Sequence, residues 1–483
     1  MAQKNEKLTN KSTEKTDRNK QPQEYLSEED WVKKQDSKIK PQINVSQFEE
    51  ITLDDVADTL SYTIINNVTN KKIVFLGMLS AYTDSSQINV SMNAPSSQGK
   101  THIIKEVAGL FPEEEKIGIH GATPTSFFYE IDYIDKERNI RYKDVRRMII
   151  IFYELPDPSL QIKLRPLLSH DGREIIHKQT NKSKGRNVTD TTIVRGYAAF
   201  MFCSANMKLD EQEATRAILL SPEVNHETLS KSLQLIARRN ADVTKFNDWL
   251  ESRPDRIALK NRIIAIREEH IDEVVINNPE AIEKRFVKLA GKLISRHQRD
   301  MAHLFELIRA TALLNVWFRR QPDGSVLANQ TDIDEAFDLF SELFESQNLN
   351  IPPTVFSFYK QYIVPAYIKL REKNVGDYQK QSDFNNDKIG LTNHDLNAYY
   401  LSVENTSLNS DTLRKNILPP MESAGLIIWE KPTSEFADKR SAHIFPKKFT
   451  KDEQKQLNNI GRGGENNIDS NGEAPPVNLD LFR

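Results

Sequence analysis

Apolar residues Ile88, Val90 and Met92 alternate with polar Gln87, Asn89 and Ser91, a period-two pattern that predicts a half-buried strand. A polar turn follows. Beyond it, Ile103, Ile104, Val107, Ala108 and Leu110 recur at helical spacing. Upstream, Val56, Leu60 and Ile64 mark one face of a helix over 53–65, and 72–81 reads as a second, apolar helix. Downstream, Met148 to Phe152 is an unbroken apolar run ending at Tyr153-Glu154, as expected for a strand buried on both faces. Residues 174–178 and 190–194 read as the arms of a β-hairpin, and 197–203 as another buried strand. From 230 to 343 the period is helical, with a stripe at Met301, Leu304, Ile308 and Ala312 and Thr331 expected as the N-cap of a later helix. Residues 391–446 form a separate pattern. Leu391, Leu396 and Tyr400 mark one helix, Leu413, Ile417 and Met421 a second, and strands follow near 425–429 and 443–445.

The turn between the first strand and its helix carries the chemistry. It reads Ala94-Pro95-Ser96-Ser97-Gln98-Gly99-Lys100-Thr101-His102, close to the phosphate-binding pattern G-x-x-x-x-G-K-[ST] in the strand-turn-helix context that pattern requires. Such a turn aims successive N–H groups and a helix N-terminus at a polyphosphate. Lys100 is placed to reach the β/γ-phosphates and the Thr101 hydroxyl to bind Mg²⁺. Ala94 stands where glycine is usual, which is acceptable if the backbone there does not need a positive φ. ATP with Mg²⁺ is the expected ligand pair.

Composition narrows the setting. The chain has 483 residues, enough for two to four domains, and its 38% hydrophobic content points to polar tails around a folded centre. A net charge of -3 excludes a generally basic nucleic-acid coat, so DNA contacts must come from local patches. One cysteine, Cys203, leaves no disulfide framework and no cysteine-rich zinc site. With no membrane-length apolar run and no signal-peptide pattern, a cytoplasmic protein is expected. Residues 1–45 and 450–483 are too polar to bury a core and are expected to be disordered.

Further candidates follow from position. Glu154, at the end of a buried strand, can polarise the attacking water or bind the metal; in the second register Asp157 takes the water. Asn206, after the strand 197–203, can sense a γ-phosphate or simply close a turn. Arg216, ending an acidic turn, can stabilise transition-state charge at a neighbouring subunit's nucleotide or form a surface ion pair. Lys178, Lys182, Lys184 and Arg186 make the hairpin basic, suited to phosphate contact or to solvation. The C-terminal helix-helix-ribbon pattern fits a winged helix-turn-helix, with Arg414 and Lys415 on its second helix and Lys439 and Arg440 on its wing, for DNA or protein contacts. The terminal Asn478-Leu479-Asp480-Leu481-Phe482-Arg483 resembles the peptide by which bacterial proteins bind the sliding clamp, through Leu479, Leu481 and Phe482, with Asn478 where glutamine is usual.

Together these motifs resemble the AAA+ ATPases of replication, especially minichromosome-maintenance-like helicases and the helicase modules of phage and mobile-element primases. The likeness covers 48–344 and the winged helix. It implies an α/β P-loop core (46–229), a helical lid (230–345), linker helices (346–387) and a winged helix (388–449). It also implies an ATP-driven translocase or helicase acting as a hexamer on DNA in replication, with an ATP-switched DNA-binding loader or regulator that does not unwind as the alternative. The basic hairpin corresponds to the pre-sensor hairpin, Asn206 to the first sensor, Arg216 to the arginine finger, and Arg299 (or Arg296) to the second sensor.

Overall fold

The computed structural model describes residues 26–36, 43–123, 125–181, 188–205, 214–378, 390–431 and 441–462. Asn206, Lys182, Lys184, Arg186, Lys439, Arg440 and the peptide at Leu479, Leu481 and Phe482 lie outside the described residues. Up to residue 220 the strands are β1 (Val90–Asn93), β2 (Lys116–Ile119), β3 (Tyr133–Asp135), β4 (Ile140–Asp144), β5 (Ile149–Phe152), β6 (Glu174–Asn181), β7 (Val188–Arg195), β8 (Ala199–Ser204) and β9 (Ile218–Leu220). The chain divides into two compact units. The smaller takes in Phe128–Asp144, Ile175–Arg195 and the described part of Met1–Pro41; the larger holds the rest.

The larger unit is mixed α/β, built on a sheet in the order β2-β5-β8-β1-β9 with every pairing parallel. β1, β5 and β8 are buried along their whole length, as interior strands of a parallel sheet are. The half-buried reading of β1 is therefore corrected. Ser91 and Asn93 are buried too, and they remain there because the Asn93 amide donates to the Ser91 carbonyl at 2.9 Å while Ser221 donates to the Asn93 carbonyl at 2.7 Å. Alternation sorts the two faces. Ile149, Ile151, Ala199, Met201 and Cys203 join the core that also holds the helices Val68–Leu79 and Lys100–Ala108. Phe152, Phe200 and Phe202 stack in a file on the other face.

Asn89 ties the amino ends of these strands together. Its amide donates to the carbonyls of Leu168 (3.0 Å) and Arg216 (3.2 Å), and its oxygen accepts from the Phe200 N–H. Helices after β9 share the same core; the longest are His297–Leu314 and Gln330–Asn348, and a buried ion pair from Arg319, on the short helix Val316–Arg319, to Asp332 (2.7 Å) ties that short helix to the second of them. The cap of Gln330–Asn348 is Asn329 rather than Thr331. Asn329 and Asp332 bond reciprocally, a box that Thr331 could not close. A short parallel pair, β10 (Val274–Val275) and β11 (Val326–Leu327), lies among these helices. The first helix ends at Leu60 rather than Ile65, and the next begins at Val68 behind Asn67, which adopts φ 55°.

Beyond residue 350 a second core gathers the helices Pro353–Phe358, Asn393–Glu404 and Leu418–Ser423 with β12 (Leu391–Thr392), β13 (Ile427–Glu430) and β14 (His443–Pro446). Those strands pair antiparallel in the order β12-β14-β13. The expected C-terminal disorder is corrected at its start: Lys451–Arg462 is helical, with Leu457 and Ile460 packed against this core.

The smaller unit is a four-stranded sheet in the order β3-β4-β7-β6, in which β4 and β7 run parallel. The hairpin arms are present, as β6 and β7, but β3 and β4 were not anticipated. Here the expected N-terminal disorder is corrected as well. Glu28–Asp36 is a helix, with Trp31 5.6 Å from the ring of Tyr133 and Glu28 paired to Arg195 at 2.9 Å.

Asn89→Ala strands one buried N–H and two carbonyls, so it should destabilise the larger unit by about 2–4 kcal/mol in urea unfolding. An unchanged midpoint would show that the amino ends of the sheet do not depend on this side chain.

Candidate functional site

All five strands of the main sheet are parallel, so their carboxyl ends share one edge. From β1 the chain crosses to β2 at the far side, and from β8 it crosses over β1 to β9. The residues after Asn93 leave the carboxyl edge of the sheet where these two crossovers start.

The turn there is held by two left-handed positions. Gly99 has φ +86° and nothing within 4 Å of an added Cβ, so the need for glycine is conformational rather than steric. Ser97 takes φ 66° without being glycine, a strained geometry typical of functional turns. Ala94 is not among the positive-φ residues, is fully buried, and donates its N–H to the Ser204 carbonyl at 3.1 Å. The missing glycine therefore costs nothing at this position. Gly99 is the N-cap of the helix Lys100–Ala108 and offers no side-chain cap, which leaves the first N–H groups of that helix facing outward.

Lys100 bends back so that its ammonium donates to the carbonyls of Ala94 (2.5 Å) and Pro95 (2.8 Å). Burial holds its pKa below the usual lysine value. An arriving anion would compete for a cation already positioned over the turn. Thr101 is hydrogen-bonded with Cys203, whose thiol burial pushes up and keeps neutral. His102 turns away to the Thr63 carbonyl (2.8 Å) and Glu106 (3.7 Å), so only its backbone remains for the turn.

At the end of β5 the two residues of the Tyr153-Glu154 pair separate. The Tyr153 ring lies on β2, where a Cβ at Gly118 would come within 2.9 Å of it. It stacks on His120 at 4.5 Å, and the Lys105 ammonium sits 4.7 Å from its centroid. Glu154 is exposed, and among the described residues its carboxylate has no hydrogen bond or ion pair. Asp157 is engaged elsewhere: it caps Pro158–Leu168 by accepting from the Ser159 N–H at 2.8 Å, and the Ser159 hydroxyl, followed by that N–H, holds its pKa low. Among the described residues no three His, Cys, Asp or Glu side chains gather to hold a metal, so an ion here would rely on the Thr101 hydroxyl and the ligand's own oxygens.

The arginines stand at the other end of the sheet. Arg216 precedes β9 at its amino end, beside Asn89, while the Lys100 turn leaves the carboxyl end of β1. Four strand residues, on the order of 13 Å, separate the two levels. Arg216 Nε donates to Ser169 Oγ at 2.8 Å. Arg299 donates to the hydroxyl of Thr215, the residue before Arg216, which brings Arg299 to the same end of the sheet. Arg296 is spent on structure: it is buried and bonds Asp300 at 3.0 Å, and it also donates to Asn350 and Gln347. That removes it as the alternative to Arg299.

Sequence reading missed the network behind these arginines. His303 contacts the Thr215 carbonyl (3.3 Å) and Glu306 (3.0 Å), and Glu306 also faces His170 at 3.7 Å. Glu306 raises the pKa of His303 against the effect of burial, and burial lowers that of His170. Only the three-residue spacing of His303 and Glu306 hinted at it.

Among the basic candidates, Lys178 is exposed on β6 in the smaller unit. Arg414 lies 3.0 and 3.2 Å from the Asn393 side-chain amide, and Lys415, exposed, pairs with Asp411 at 3.3 Å. No helix of the described residues is long and apolar enough to cross a membrane. No family model matches the chain, and no curated protein matches it.

These placements separate two neighbouring carboxylates. Asp157→Ala should lower the thermal midpoint while leaving nucleotide turnover intact, and Glu154→Gln should do the reverse. Equal loss of turnover in both, measured by phosphate release, would return Asp157 to the chemistry.

Proposed function

We propose that the protein is an ATP-hydrolysing motor of the AAA+ replication type that acts on DNA as a ring, with an α/β P-loop core, a helical lid and a C-terminal winged helix. One observation carries this reading: the Lys100 turn and the Arg216–Arg299 pair occupy opposite ends of one parallel sheet. A phosphate held at the first is out of reach of the second in the same chain. A second copy supplies the missing charge, as an arginine finger does in phosphoryl transfer.

In this mechanism Lys100 releases the carbonyls of Ala94 and Pro95 and grips the β/γ-phosphates, while the N–H groups after Gly99 orient them. The Thr101 hydroxyl would hold Mg²⁺, which would supply charge neutralisation at the phosphate oxygens. Glu154 orients water in line with the γ-phosphorus and accepts its proton. Arg216 of the neighbouring copy, with Arg299 beside it, stabilises the charge on the transferring group, and Asn206 senses the γ-phosphate. Tyr153 takes no part in holding metal; with its ring packed on Gly118 and His120, it keeps the β2 end against β5. Lys178 and the basic hairpin contact the DNA backbone, and Arg414 and Lys415 contribute from the winged helix.

Wild-type protein should release phosphate from ATP, and faster with single-stranded DNA, while Lys100→Ala should fall to background. Equal background rates for both would contradict the motor reading. Lys178→Ala should weaken DNA binding on all sequences and reduce the slope of log affinity against log salt by about one. An unchanged slope would take β6 out of the DNA path.

A further inference from the structure

The helix His226–Ala241 follows the carboxyl end of β9 and has one buried residue, Thr228. Its Arg239 reaches Glu106 on the Lys100–Ala108 helix at 2.8 Å, so one side is anchored beside the nucleotide turn. The other side presents Leu229, Leu233 and Ile236, which are 51%, 67% and 53% exposed. Their spacing of four and three residues sets them in one stripe. His226, Ser230, Ala237 and Asn240 complete that face, with Arg239 on its flank, so it carries no acidic residue and no lysine. Scattered exposed leucines need no explanation, but a file of three on one such helix face does.

A second apolar set accompanies the arginines. Leu289, Leu293 and Ile294 are 37%, 55% and 45% exposed and run directly into the helix that bears Arg299, with the Ile294 N–H donating to His297 on its first turn. Each half of the proposed composite site thus has its own exposed apolar set, one with Lys100 and the other with Arg299. Two different patches on one chain are what a head-to-tail, ring-forming contact requires.

We propose that the Leu229–Leu233–Ile236 face is the seat of a second copy of this chain, which docks through its Leu289–Leu293–Ile294 segment and so brings its Arg216 and Arg299 to the nucleotide. This rests on the ring reading above and names the surface that makes the ring. Three side chains fall short of the ~800 Å² per partner of a stable interface, and in this proposal a nucleotide bound between Lys100 and the incoming arginines completes the contact, making assembly nucleotide-dependent.

The test is light scattering after size exclusion, with and without ATPγS, alongside binding of a fluorescent ATP analogue. Wild type should assemble with nucleotide. Leu233→Glu and Leu293→Glu should each stay monomeric while binding the analogue within about twofold of wild type, and Leu233→Met should assemble. An equimolar mixture of the two glutamate variants retains one good contact and should stop at dimers. If both variants assemble like wild type, the surface is wrong although the motor reading stands. If only Leu233→Glu fails to assemble, the Leu293 segment is not the docking partner and the proposal falls. If wild type binds no analogue, the underlying reading fails first.

Discussion

The structure depends on a short left-handed passage at the end of one strand. Gly99 at φ +86° and Ser97 at φ 66° let the chain leave β1 and enter a helix within a few residues, pointing unpaired N–H groups and a lysine outward. β1 is buried along its whole length and lies between β8 and β9. Asn89 at the opposite end holds the same strand to its neighbours and bonds the backbone of Arg216. One strand therefore fixes the positions of both Lys100 and Arg216, at opposite ends of the sheet.

That separation gives the two ends of the sheet different tasks. At the carboxyl end, Lys100, Thr101 and Glu154 carry few structural commitments beyond contacts a ligand can replace. At the amino end, Arg216 donates to Ser169 and Arg299 to the hydroxyl of Thr215, the residue before Arg216, while His303 and His170 converge on Glu306. The Arg296–Asp300 pair is buried within the fold.

Much of this could be read from the chain. β1, β5 and β8 were legible because their apolar runs are short and bounded by polar residues, and the Lys100 turn because its pattern sits between a strand and a helix. Other features were not. Burial of Ser91 and Asn93 depends on hydrogen bonds to Ser221 and to each other, which alternation cannot display. β3 and β4 are too polar to stand out, since β4 is held by pairing with β7 and β3 by pairing with β4. The helices at Glu28–Asp36 and Lys451–Arg462 look disordered by composition and persist through a few tertiary contacts, Trp31 on Tyr133 and Leu457 with Ile460. Long-range clusters such as His170 with Glu306 leave no local signature at all.

The central claim is that one nucleotide site is completed by two copies of the chain. The most direct measurement is ATP turnover in a mixture of Lys100→Ala and Arg216→Ala proteins, each inactive alone. Random mixing in equal amounts places an intact lysine opposite an intact arginine at about one contact in four, so roughly a quarter of wild-type turnover should return. A mixture as inactive as its components would contradict a shared site.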